Sequence, residues 1–101
     1  MAALNKWHVY IVLCADESLY TGISTDVERR FNEHLTGRGA KYFRGREPLS
    51  VVYFSSGYTR SEALQKEAEI KRLSRKEKLM LLDSPLNECR NHLAPGKREK
   101  Q

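Results

Sequence analysis

Three segments of this chain carry the same helix-opening signature, and the gaps between them leave room only for short strands. Thr25-x-x-Glu28, Thr59-x-x-Glu62 and Ser74-x-x-Glu77 each read as a capping box. In that arrangement the hydroxyl accepts from an orphan amide of the first turn, and the glutamate reaches back to the cap residue's own N–H. The helices they open are predicted to end near Leu35, Leu73 and Asp83. Ahead of the first lies Trp7 to Cys14, continuously apolar and rich in β-branched and aromatic residues, which predicts a strand covered on both faces. Leu19 to Ser24 predicts a second strand, joined to the first as a hairpin through Asp16-Glu17-Ser18. Leu49 to Ser55 predicts a third. The order β-β-α-β-α-α makes the fold class α+β, a small sheet packed by helices.

A chain of 101 residues holds one domain. We expect an N-terminal extension over 1–6 and the folded domain over 7–83. A short helix starting at Ser84-Pro85 is expected over 84–93, followed by a disordered basic tail over 94–101. The longest apolar run, Val9 to Ala15, is far below the ~20 residues a membrane span needs. The residues before it lack the apolar core and cleavage site of a signal peptide. Cys14 and Cys89 have neither metal-ligand spacing nor a disulfide framework, so reduced thiols in a cytoplasmic protein are expected.

Eighteen Lys and Arg against thirteen Asp and Glu leave a formal charge of +5, a balance that suits a polyanionic partner. The bases concentrate between Thr36 and Pro48, where Arg38, Lys41, Arg44 and Arg46 face only Glu47. Tyr42 and Phe43 are interleaved with them. Basic groups neutralise phosphates and aromatic faces stack on unpaired bases, so this loop is a candidate nucleic-acid contact. The alternative is a solvated loop with two aromatics tucked into the core. On the helices, Lys71 and Arg75 join the candidate contacts; Arg60, Lys66, Arg72, Lys76 and Lys78 belong equally to a solvated face.

Polar groups where a fold wants apolar ones mark candidate chemistry. On the second helix, Ala63, Leu64, Ala68 and Ile70 define an expected inward stripe with Glu67 in its middle. A carboxylate there needs a cation partner, a hydrogen-bond network or a metal. On the first helix, Val27, Phe31 and Leu35 form the expected apolar seam, and Arg30 and His34 lie one turn apart along its edge. An arginine fork suits phosphate oxygens and a histidine can donate to phosphate or move a proton; a snorkelling arginine beside a half-buried histidine is the plainer reading. In the hairpin, a three-residue loop over Asp16 to Ser18 pairs Ala15 with Leu19 and puts Tyr10, Tyr20 and Gly22 on one face. A two-residue loop separates the tyrosines. Gly22 inside a strand signals a bulge or a close approach.

Together these residues resemble the GIY-YIG nucleases. Val9-Tyr10 and Tyr20-Thr21-Gly22 are similar to the paired GIY and YIG motifs. Arg30 and His34 fit that superfamily's first helix, and Glu67-Ala68-Glu69-Ile70-Lys71 fits its metal-binding helix. Small stand-alone members share stretches like Leu19-Tyr-Thr-Gly-Ile, Asp26-Val-Glu-Arg-Arg and Gly39-Ala-Lys-Tyr. The resemblance spans Lys6 to Asp83. It implies a mainly antiparallel three-stranded sheet flanked by helices, and a divalent-metal-dependent endonuclease hydrolysing DNA phosphodiesters, at structured or single-stranded sites, with RNA left open. Glu67 is then the protein ligand of one Mg²⁺ or Mn²⁺. Arg30 balances charge on the phosphorus, Tyr20 takes or aligns the attacking water, and Tyr10 and His34 position the nucleophile or relay its proton. Departures are His8-Val9 and Thr21 within the two motifs, and Ile23, where excision-repair incision members carry a lysine that helps activate the tyrosine; without that lysine, His34 is the alternative general base to Tyr20. No asparagine matches the one homing-type members use, since Asn87 and Asn91 lie beyond the third helix. No appended DNA-binding domain of the kind that gives larger members their target is evident; a protein partner for targeting is left open, and a monomer or weak dimer is expected. A DNA-repair role rests on family analogy. The rival reading is a nucleic-acid-binding accessory that keeps the fold with little catalysis.

Overall fold

A computed structural model describes residues 5–38 and 41–90. Its elements are β1 (Trp7–Cys14), β2 (Leu19–Ser24), α1 (Val27–Leu35), a single 3-10 turn at Lys41–Phe43, β3 (Pro48–Tyr58), α2 (Arg60–Lys71), α3 (Arg75–Leu81) and a second 3-10 turn at Glu88–Arg90. The strands form one antiparallel sheet in the order β2-β1-β3. The fold is therefore α+β in the expected β-β-α-β-α-α order. Gly39 and Ala40 of the basic loop, the first four residues and the tail after Arg90 lie outside the described residues.

β1 is the central strand, and its unbroken apolar run follows from covering on both faces. Tyr10, Val12 and Cys14 point to one side and pack with Phe31 of α1, Phe43 and Val51. Val9 and Ile11 point to the other, where Leu19, Tyr53, and Ala63 and Ile70 of α2 enclose them. Period-two alternation thus splits the core into two layers divided by the sheet.

The hairpin loop has three residues, as expected, but sits one residue earlier. Cys14 N–H donates to Ser18 O at 3.0 Å, so the loop is Ala15 to Glu17, and Leu13, not Ala15, pairs with Leu19. Glu17 takes the left-handed conformation (φ 70°) that closes such a loop. The shift moves the pairing by two residues and so preserves the faces. Tyr10 sits directly opposite Gly22, and Tyr20 opposite Val12.

Two of the three capping boxes form, at Thr59/Glu62 and Ser74/Glu77. The first does not. Asp26, one residue later than Thr25, caps α1 by accepting from Arg29 N–H at 3.0 Å. Ser24 Oγ accepts from Asp26 N–H at 2.9 Å and fixes that cap. α2 ends at Lys71, two residues before the expected Leu73. β3 runs three residues past the expected Ser55: Trp7 pairs with Tyr58 and His8 with Ser56, leaving Gly57 (φ 92°) as the extra residue of a bulge.

The expected stripes also need correction. Leu35 of α1 and Leu64 and Ala68 of α2 are exposed, whereas His34 is inside. Both helices are short and each presents a narrow face to the sheet. On α2 the inward face is Ala63, Glu67 and Ile70, at i, i+4 and i+7.

After α3 the chain turns at Ser84 (Asn87 N–H to Ser84 O, 3.0 Å) and returns to the outer margin of β3, so the described part of 84–93 is a turn and a 3-10 turn. Asn87 is 2% exposed. Its Nδ2 donates to Val52 O at 3.0 Å and Leu82 O at 3.1 Å. Its Oδ1 accepts from Phe54 N–H at 3.3 Å and Cys89 N–H at 3.0 Å. One side-chain amide thereby pairs with the free edge of β3 as a neighbouring strand would.

Candidate active site

The face of the sheet under α1 collects the polar residues singled out in the sequence. Gly22 permits the collection. A Cβ there would lie 2.7 Å from the Tyr10 hydroxyl and 3.0 Å from Tyr20 Cε2, so both phenols cross the space a side chain would fill. The Tyr10 hydroxyl meets His34 Nε2 at 2.9 Å, a buried hydrogen bond between β1 and α1. Tyr20 sits edge-on to His34 with ring centroids 5.4 Å apart. Phe43, buried, closes over both, 4.3 Å from His34 and 4.8 Å from Tyr20. The aromatic pair of the basic loop is thus largely spent on the wall of the site. Phe43 is its lining, and half-buried Tyr42 packs against Tyr20 with ring centroids 5.1 Å apart and planes tilted by 44°.

Burial sets the protonation states. His34 is 2% exposed, and its pKa is lowered to about 4, chiefly by desolvation, with Arg30 adding to the effect and Glu33 opposing it. At pH 7 it is neutral, with one N–H. Its Nδ1 has no hydrogen-bond partner among the described residues. An orphan N–H is costlier in a core than an orphan lone pair, which favours the tautomer in which Nε2–H donates to the Tyr10 oxygen. Burial, then the neighbouring Tyr20, pushes the Tyr10 phenol well above its ordinary value, while Arg30, within reach of that oxygen, pulls the other way. Tyr20 is also raised by burial, opposed by Lys71 and then Arg30, with Glu67 adding to the rise. These couplings bring α2 to the site: Glu67 and Lys71 lie near enough to act on a phenol of β2.

Arg30 is half-buried on the edge of α1, and its Nη1 donates to Glu33 at 2.7 Å. Glu33 accepts equally from Arg29 Nη1 at 2.7 Å. Their mutual attraction holds the Glu33 carboxyl below its usual range and raises Arg30 further. Sequence reasoning missed Glu33, although its i+3 and i+4 spacing to the two arginines was a usable signal. Glu67 has a side chain only 19% exposed and pairs with Lys71 Nζ at 3.2 Å.

Of the other basic candidates, two are structural clamps. Arg46 pairs with Asp16 at 3.1 Å and lies 4.2 Å over the Tyr42 ring. Arg75 donates to the Glu17 carbonyl. Both therefore brace the hairpin loop. Lys41, Arg44 and Arg38 are exposed. No helix of the described residues is long and apolar enough to cross a membrane.

Among the described residues no three His, Cys, Asp or Glu side chains cluster as a metal cage. A lone carboxylate countered by a largely exposed ammonium nonetheless fits a hard divalent ion that keeps most of its ligands as water and phosphate.

The chain is similar to known proteins over most of its length. Residues 6–80 match the GIY-YIG catalytic domain. A UPF0213 protein of Haloquadratum walsbyi is 56% identical over 81 residues, covering 79% of this chain and 91% of that protein. One of Cupriavidus necator is 53% identical over 78 residues, covering 77% and 85%. Among solved structures, the solution NMR structure of a UPF0213 protein from Bacillus halodurans superposes with a TM-score of 0.51 at 44% identity, covering 79% of this chain and 85% of that one.

Proposed function

The chain belongs to the GIY-YIG catalytic-domain family, as a small UPF0213 member, and from that premise we propose that it is a divalent-metal-dependent endonuclease acting on structured or single-stranded DNA. The family speaks for nuclease-type chemistry on nucleic acid; the polymer, the metal and the residue roles are our reading. The observation that carries it is the buried Tyr10–His34 hydrogen bond beside Tyr20 and Arg30. A core has no structural need of such a polar cluster with an orphan imidazole nitrogen.

Each residue then has a task. Tyr10 accepts from His34 and keeps its own proton, which it can donate to a phosphate oxygen. His34, neutral and out of reach of water, orients that phenol; it touches the nucleophile only through Tyr10. Tyr20 is the more exposed tyrosine and aligns the attacking water or takes its proton; burial holds its phenol above the ordinary value, and Lys71 and Arg30 offset that only in part. Arg30 leaves Glu33 to balance the charge that builds on the phosphate, an effect often worth ~3 kcal/mol. Glu67 would hold one Mg²⁺ or Mn²⁺. Such an ion, when bound, polarises the phosphate and stabilises the leaving oxygen. A domain this small has few groups with which to read base edges, so shape or strandedness, not sequence, selects the substrate.

Labelled single-stranded, duplex, flap and branched DNA, incubated with Mg²⁺ or Mn²⁺, provide the test. Wild type is expected to cut and Glu67→Ala to lose at least about a hundredfold in rate. Salt-sensitive binding without cutting under either metal would replace this reading with the binding accessory, and cutting that survives in Glu67→Ala would remove the metal assignment.

A further inference from the structure

Arg30 also lines an open groove of about 340 Å³ outside the tyrosine–histidine cluster, bounded by Trp7, Ile23, Arg29, Glu33 and Arg60. That volume is at the small end of the ~300–1,000 Å³ typical of ligand sites. We propose that the groove seats the unpaired nucleotide adjoining the phosphate that Arg30 contacts; this rests on the nuclease reading through Arg30 alone.

Charge and aromatic surface meet there. Glu33 is divided between Arg29 and Arg30 at 2.7 Å each, and Asp26 approaches Arg29 at 3.9 Å, so the α1 pair is formally balanced and the groove's uncompensated cation is on α2. Arg60, at the start of α2, has no carboxylate within ion-pair distance among the described residues. Its guanidinium instead lies 5.7 Å over the half-buried Trp7 ring. A guanidinium held over an indole offers N–H groups at its rim for a phosphate, and the two planar groups give a base something to stack on. Only an unpaired base presents its face to such a platform, because a duplex keeps its faces stacked. The substrate strand therefore runs past β1's first residue and the α1–α2 side of Arg30, and the Lys41–Arg46 loop meets what lies beyond.

Trp7 is the only tryptophan in the chain, so its emission reports the groove directly. Wild type is titrated without metal with a thymidine oligomer of about ten nucleotides, and binding is followed independently by anisotropy of a labelled copy. Trp7 emission is expected to change in step with the anisotropy. Arg60→Ala, an exposed position, is expected to weaken binding about tenfold and flatten its salt dependence by about one phosphate contact. Saturation by anisotropy with silent Trp7 emission and unchanged affinity in Arg60→Ala overturns the proposal. An equal response to blunt duplex overturns its unpaired-strand part, and an equal response to inorganic phosphate reduces the groove to an anion site. The cleavage assay stands apart: cutting with silent Trp7 removes the groove and leaves the nuclease, whereas a Trp7 response without cutting does the reverse.

Discussion

Gly22 is the residue on which the two tyrosines depend. A methyl group there meets the Tyr10 hydroxyl at 2.7 Å and Cζ at 2.9 Å, and Tyr10 is 1% exposed with nowhere to retreat. Gly22→Ala is expected to cost about 1–3 kcal/mol by overpacking, read by urea unfolding, and to reduce cleavage more than tenfold by displacing both phenols. His34 makes a different prediction. Unfolded, it binds a proton below its ordinary 6.5; folded, only below about 4. Between those values acid favours the unfolded chain, so stability falls as pH drops through the window, by up to about 3 kcal/mol. Asp16, lowered from 3.8 to about 2, adds its own loss only below that window. Unfolding free energies at pH 6.5 and 4.5 are expected to show the full slope in wild type and, in His34→Gln, only the smaller part due to Glu33, whose carboxyl is also lowered. Tyr10, Tyr20, Arg30, His34 and Glu67 were legible as types at spacings. Their protonation was not, because it follows from burial that only the folded packing of Phe43 over His34 creates.

At the scale of elements, what was local was readable. Strand β1 and the capping boxes of α2 and α3 depend on residues within a few positions of each other. The cap of α1 was misplaced by one residue because Thr25 and Asp26 are both competent caps, and the choice falls to Ser24, whose side chain holds the Asp26 backbone. Asp26→Ala is therefore expected to cost about 1 kcal/mol in denaturant unfolding, and Thr25→Ala a few tenths at most. The end of β3 was hidden by Ser55-Ser56-Gly57, which reads as a turn. A bulge uses the same glycine to bend the strand while pairing resumes at Tyr58.

At the scale of the molecule, the positive charges sort into two kinds that sequence cannot separate. Arg46 and Arg75 reach the hairpin loop from positions 30 and 58 residues away, so their engagement is a property of tertiary structure. Asn87 is likewise set apart only by where the chain returns. Asn87→Ala should cost about 1–3 kcal/mol, since it removes four hydrogen bonds to part-buried backbone groups, and sedimentation should show concentration-dependent association in Asn87→Leu. The second expectation follows from what a sheet margin is. An unpaired strand is a template that accepts any passing peptide, a neighbour's as readily as its own. Here the vacancy is filled by an imitation: an amide borrowed from a side chain, offering one donor and one acceptor in the places a backbone would. The closed margin of the sheet is thus a matter of molecular mimicry, and losing that one counterfeit peptide group would turn each molecule into a growth surface for the next.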